Sequence, residues 1–274
     1  MSELRLAISF PTTGWNYSSF TVSLAGLIAR MAGGIPTIPE LTVFVSIECM
    51  ESSVIHANRE VLVDTVLKSP KRYTHLLFLD HDMVFEPHVI DYLVGRRHPV
   101  VATNYLIKRD PMELSDFTAV SLDGRRIVTH EQSTGMMEIA YTGFGVSLFE
   151  LDVFRKVEQP WFLPEYVGIS PECPLGYTTE DMPCFKRIRA AGIKCYLDQD
   201  ASKLVYHDGH KRWSWRDWKR PEEVKNNADH QNSDVQHADN AHRLGGVDGR
   251  RGDVGNGRHL DGAEQHEPRT IPAR

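Results

Sequence analysis

Two aspartates one residue apart close the run HLLFLDHDMVF, residues 75 to 85. Mostly apolar positions lead into Asp80 and Asp82, with His81 between them. Paired carboxylates suit a hard divalent cation, Mn2+ or Mg2+, which takes oxygen ligands and keeps positions for substrate phosphates when the protein supplies few. Residues i and i+2 of an extended chain point the same way, so the two carboxylates are expected to converge while His81 faces elsewhere. The plainer alternative is a strand-end turn in which Asp80 caps a helix beginning near Pro87. Further candidates are spread along the chain: Arg59 in HANRE, Gly143 in YTGFGVSLF, Glu180 and Asp181 in TTEDM, and His207 in VYHDGH. A glycine such as Gly143 lets backbone approach a ligand closely. A carboxylate such as Asp181 can take the proton of a hydroxyl within reach, and a helix N-terminus is expected to lower its pKa. Arg59 could instead pair with Glu60 or Asp64, and His207 could be an ordinary core or surface histidine.

Strands alternating with helices must position these residues. LRLAISF (4 to 10), LTVFVSI (41 to 47), HLLFL and HPVVATN (98 to 104) read as strands. SSFTVSLAGLIARMAGG puts Phe20, Leu24, Leu27, Ile28 and Met31 on one helical face and ends at Gly33 and Gly34. HANREVLVDTVLKS (56 to 69) reads as a helix stopped by Pro70. YTGFGVSLFELDVFRKV (141 to 157) reads as a glycine-broken strand and a short helix, and Thr179 as the cap of a helix running to Gly192. This order predicts an α/β fold with a mainly parallel central sheet and helices on both faces. Ligands of such sheets sit outside the carboxyl ends of the strands, where Asp80 and Asp82 fall.

The 274 residues, 41% hydrophobic and 25% charged, can bury a sizeable core. No apolar stretch approaches the ~18 residues of a membrane span, and the start lacks a basic leader, so a cytoplasmic setting is the expectation. Four scattered cysteines suit reduced thiols. A net charge of −6 gives no general attraction to nucleic acid or anionic lipid. No aromatic residue follows Trp218, and residues 221 to 274, rich in Asn, Asp, His, Gly and Arg, are expected to form a disordered tail behind a domain of residues 1 to 220. KRWSWRDWKR (211 to 220) interleaves tryptophans with basic residues, either as a stacking platform for sugars or bases or as an amphipathic helix that tucks Trp215 and Trp218 onto the core.

In motif order, roughly residues 4 to 210 resemble the type A (GT-A fold) glycosyltransferases, most closely family-two-like members of bacteria and phages. FPTTGW follows the first strand, HANRE opens a helix, and LDHDM, TGFGVSLF, TTEDM and YHDG come in turn. The resemblance implies a Rossmann-like nucleotide-binding half and a nucleotide-sugar donor. Pro11, Thr12 and Thr13 would cradle the nucleobase, with Arg59 on the nucleotide. Asp80 and Asp82 would hold ribose and metal, with His207 completing the metal site. It also implies transfer to an acceptor hydroxyl, with Asp181 as the base of an inverting reaction and Glu180 beside it. Thr12 and Thr13 could instead cap the next helix. A glycan, a small molecule or a modified DNA base are the acceptor classes considered. A sugar nucleotidyltransferase is the alternative enzyme, although FPTTGWNYSSF lacks the basic residues such a loop carries. A non-catalytic carbohydrate-binding protein is the third reading.

Overall fold

The structure, a computed structural model, describes residues 3–108, 116–170, 173–209 and 212–217. The expected tail, residues 221 to 274, lies outside them, as does Trp218. In chain order the elements are β1 (Glu3–Thr12), α1 (Ser18–Ala32), β2 (Thr42–Glu51), α2 (Ile55–Lys68), β3 (His75–Leu79), β4 (Met83–Phe85), α3 (Val89–Gly95), β5 (Val100–Ala102), β6 (Val120–Ser121), β7 (Met136–Tyr141), β8 (Val146–Glu150), α4 (Leu151–Lys156), α5 (Asp181–Ala190), β9 (Tyr196–Asp198), α6 (Gln199–Ser202), β10 (Val205–Asp208) and β11 (Arg212–Trp213).

Eight strands form the main sheet in the order β2-β1-β3-β8-β5-β9-β7-β6. β1 pairs in parallel with β2 and β3, and β5 with β9. β8 runs antiparallel between β3 and β5, and β7 runs antiparallel beside β9 and β6. All strands but β7 and β8 therefore point one way, giving the mostly parallel α/β sheet expected. Alternation sorts the side chains of β3: Leu76 and Phe78 enter one core with α2, α4 and α5, while Leu77 and Leu79 enter the other with α1 and α3. Each fully buried Leu or Phe there contributes about 2 kcal/mol, so both helical layers are fastened to the sheet by hydrophobic burial.

Two readings of the sequence are corrected by the fold. YTGFGVSLF is not one strand: Tyr141 ends β7 at one side of β9, and Val146 begins β8 between β3 and β5. The glycine turn carries the chain across the sheet. The tryptophan-rich segment is not a helix among the described residues but β11 and a short 3-10 turn, Trp215–Asp217. Trp213, not Trp215, is the fully buried ring. Cys184 and Cys195 are buried, Cys49 is exposed, and the cysteines are free. No helix among the described residues is long and apolar enough to cross a membrane.

Candidate functional site

A second sheet, β11-β10-β4, brings the site together. β10 runs antiparallel to β4 with His207 opposite Met83, and the Asp208 amide donates to the Asp82 carbonyl at 2.8 Å. Backbone register thus sets His207 beside Asp82. Its Nε2 lies 3.2 Å from Asp82 Oδ2, while its Nδ1 lies 3.0 Å from the Leu106 carbonyl. Only a protonated Nδ1 can bond that carbonyl, so Nε2 turns a lone pair toward the carboxylate unless a second proton or a cation stands between them. Ligands at about 2.1 Å from an octahedral ion sit about 3.0 Å apart when adjacent, so the Asp82–His207 spacing fits one edge of such a site. Lys108 reaches the same Oδ2 at 2.6 Å. Burial opposes ionisation of Asp82, but the hydrogen bonds and charges of His207 and Lys108 outweigh it and hold the carboxyl well below the usual carboxylate range.

Asp80 does not converge with Asp82. β3 ends at Leu79, and the Met83 amide donates to the Asp80 carbonyl at 3.0 Å, so residues 80 to 83 turn and the rule for extended chain no longer applies. Among the described residues no group of three metal-ligating side chains gathers. Asp80 Oδ1 instead accepts from Arg59 at 2.5 Å. His81 does not face away either: it lines the cleft and packs edge-on to Trp15 at 5.9 Å.

Arg59 lies on the inward face of α2 with Leu62, Val63 and Val66, and is only 2% exposed. Its guanidinium forks between Asp80 and, through Nε at 3.1 Å, Glu180. It lies over both the Phe78 ring, at 5.1 Å, and the neighbouring Phe144 ring, at 4.9 Å. Burial works against this charge, but Asp80 and Glu180 more than offset it and raise its pKa further. Nη1 is buried without a hydrogen-bond partner among the described residues. The pairs with Glu60 and Asp64 do not form: Glu60 accepts the Trp161 amide and Asp64 takes Lys68.

Asp181, half-buried at the start of α5, accepts the Met182 amide at 2.8 Å and the Thr179 hydroxyl. Thr179 therefore serves the carboxylate and not the helix end, whose cap position is Glu180. Desolvation, with the charge of Glu180, pushes the Asp181 carboxyl up to about 6 against the Thr179 and Met182 hydrogen bonds and the charge of Arg59. The expected lowering by the helix terminus is overturned, because lost hydration and a like charge outweigh the backbone dipoles.

Thr12 caps no helix: its hydroxyl donates to the Trp15 carbonyl at 3.0 Å and accepts the Gly14 amide at 3.2 Å, tightening the first loop. Tyr17 holds the cap position of α1, without a side-chain hydrogen bond. The space left by Gly143 is taken by this chain and not by a ligand. A Cβ there would lie 2.1 Å from the Tyr105 hydroxyl, and one on Gly145 would lie 2.7 Å from the Tyr105 ring. That hydroxyl accepts the Gly145 amide at 3.0 Å, and the Gly145 carbonyl accepts the Asp80 amide at 3.0 Å. Tyr105 also packs edge-on against the His207 ring at 5.5 Å.

A cleft of about 260 Å³ at the carboxyl ends of β1 and β3 is lined by Pro11, Thr12, Thr13, Ser52, Ile55, Arg59, Asp80, His81, Asp82, Glu180 and His207. Of the residues singled out in the sequence, Asp181 and Gly143 alone are not in that lining. Sequence reasoning missed His81, Tyr105, Lys108, Ser52 and Ile55. Ser52 and Ile55 follow β2 directly, so the strand-end rule could have found them; Lys108 and Tyr105 carry no spacing signal.

No family model and no curated protein matches the chain. Among solved structures it is similar to A197 from STIV, at 18% identity over 74% of this chain and 85% of that one, with a TM-score of 0.48. It is similar also to the catalytic domain of Drosophila beta1,4galactosyltransferase 7 in complex with xylobiose, at 14% identity over 76% and 71%, with a TM-score of 0.40. A third is GalNAc-T7 with UDP, GalNAc and Mn2+, at 9% identity over 76% of this chain and 44% of that one, with a TM-score of 0.45. At these scores the likeness carries no residue role and no activity over to this chain.

Proposed function

We propose that the chain is a metal-dependent glycosyltransferase that moves a sugar from a nucleotide-sugar donor to an acceptor hydroxyl, with inversion at the anomeric carbon. One observation carries this reading: residues from the first loop, α2, the turn after β3, the start of α5 and the end of β10 line a single cleft. Every residue to which the sequence resemblance gives a role at a nucleotide-sugar site is among them except Asp181, which follows the lining residue Glu180 in the chain.

Pro11, Thr12 and Thr13, with Ser52 and Ile55 beside them, form the end of the cleft suited to a nucleobase. Asp80, oriented by Arg59, accepts hydrogen bonds from ribose hydroxyls. Asp82 and His207 would hold the divalent ion, Mn2+ or Mg2+. When bound, such an ion stabilises the negative charge that develops on the leaving diphosphate. Asp181 takes the proton of the acceptor hydroxyl as it attacks, and a carboxyl raised to about 6 is a stronger base than an ordinary aspartate while still ionised at neutral pH. Glu180 keeps Arg59 in register with Asp80 and by its charge helps raise Asp181.

Incubating the protein with a panel of nucleotide sugars and Mn2+ tests this reading. The expected result is metal-dependent release of nucleoside diphosphate, with inverted anomeric configuration in the product by NMR. Retained configuration would remove the base role of Asp181, and no turnover of any nucleotide sugar would remove the glycosyltransferase itself.

A further inference from the structure

The contacts around Asp82 hold a conflict. Its Oδ2 is shared by the Lys108 ammonium at 2.6 Å and the His207 imidazole at 3.2 Å. Lys108 is held from a second side by the Tyr17 ring, 5.2 Å from its Nζ. Both constraints on the pair come from one short stretch: the Leu106 carbonyl fixes the imidazole, and two residues later Lys108 fixes the carboxylate. The Lys108 and Asp82 side chains are 27% and 23% exposed, so this is a partly buried contact and not a pair free in water.

We infer that Lys108 is a built-in cation that occupies Asp82 until a divalent ion displaces it, and that it then pairs with the donor's diphosphate. The inference rests on the glycosyl-transfer reading and deepens it. An ammonium and a divalent ion on one carboxylate oxygen repel each other and compete for the same lone pairs, so ion binding requires Lys108 to leave. Its four-carbon stem lets the charge move without backbone rearrangement. The diphosphate that accompanies the ion brings new negative charge to the place just vacated, and an ammonium is a suitable point charge for it. Lys108 thus opposes the ion when donor is absent and favours the diphosphate when donor is present. The exchange would keep the Asp82 carboxylate from standing uncompensated in the empty cleft.

The two effects have opposite signs, which makes them separable by calorimetric titration of the full chain. Lys108→Met keeps the stem and removes the charge. It should bind Mn2+ alone roughly 10-fold more tightly than wild type, the scale of losing one partly exposed ionic competitor. With Mn2+ saturating, it should bind nucleoside diphosphate roughly 10-fold more weakly. Lys108→Gln carries the same expectation if the Met variant folds poorly, and Lys108→Arg should behave like wild type toward Mn2+. Unchanged or weaker Mn2+ binding in both neutral variants, with wild type binding normally, would overturn the role of Lys108 alone. Absence of Mn2+ and nucleotide binding in wild type and variants alike would overturn the glycosyl-transfer reading along with it.

Discussion

The Nε2 of His207 stands 3.2 Å from Oδ2 of Asp82 although the two residues are 125 positions apart in the chain. Antiparallel pairing of β10 with β4 is the cause, since the register that sets His207 opposite Met83 leaves Asp82 as the next residue along. Because backbone hydrogen bonds fix this spacing, replacing either side chain should leave the scaffold in place. His207→Ala should therefore melt within about 1 kcal/mol of wild type while losing Mn2+ binding by calorimetry. Cooperative collapse of the fold in this variant would show the imidazole to be a structural residue.

Arg59 makes the opposite prediction, because its charge is buried and shared. Removing it strands two carboxylates, so Arg59→Leu should lose about 3 kcal/mol in urea denaturation. Arg59→Lys should recover little, since an ammonium cannot fork between Asp80 and Glu180 as the guanidinium does. Full stability in Arg59→Leu would mean the pairs contribute nothing net.

The Asp181 carboxyl, raised from 3.8 to about 6, gives a pH dependence with a definite sign. As a base it works only when ionised, so kcat/KM should rise with pH through about 6 and level off above. Asp181→Asn should cut turnover by ~100-fold or more with donor binding retained. Glu180→Gln removes a charge that raises this pKa and should move the acid limb to lower pH. Stability carries the linked sign: a raised carboxyl favours the folded state below 3.8 and loses that advantage as pH climbs to about 6. Asp181→Asn should therefore melt higher than wild type at pH 7, with the gap closing toward pH 4. An activity profile flat from pH 5 to 8 would contradict the base role.

The glycine turn makes a prediction independent of any activity. A methyl group on Gly143 would meet the Tyr105 hydroxyl at 2.1 Å, so Gly143→Ala should cost about 2 kcal/mol through overpacking. Combining it with Tyr105→Leu should cost less than the sum of the two single changes. Strict additivity in thermal melts would show that the two positions do not touch.

Legibility in the sequence followed the physics of each feature. Pro11 and Asp80 fall at the carboxyl ends of β1 and β3, so the strand-end rule alone places them at the cleft, whereas His207 reaches it through the antiparallel pairing of β10 with β4, which no such rule foretells. Arg59 stands out in the sequence and lines the cleft, but its partners Asp80 and Glu180 are not legible there, since the helix pattern offers the nearer Glu60 and Asp64. The convergence of Asp80 with Asp82 failed because β3 stops one residue before Asp80, and no periodicity marks where extended chain becomes a turn. The glycines of YTGFGVSLF stand out in the sequence, but only the three-dimensional crossing between β7 and β8 shows that they accommodate Tyr105. Lys108 sits in a stretch with no motif, and its contact with Asp82 depends on long-range packing.

Metal-dependent donor binding is most directly tested by thermal shift of the full chain with nucleoside diphosphates and nucleotide sugars, with and without Mn2+, in wild type and Asp82→Asn. Only a ligand that prefers the folded state raises the melting temperature. At least one nucleotide ligand should raise the wild-type value with Mn2+ and much less with chelator, and Asp82→Asn should lose the metal-dependent part. A shift of equal size in chelator or in Asp82→Asn, or no shift with any nucleotide, would contradict a metal-dependent nucleotide-sugar site in this cleft.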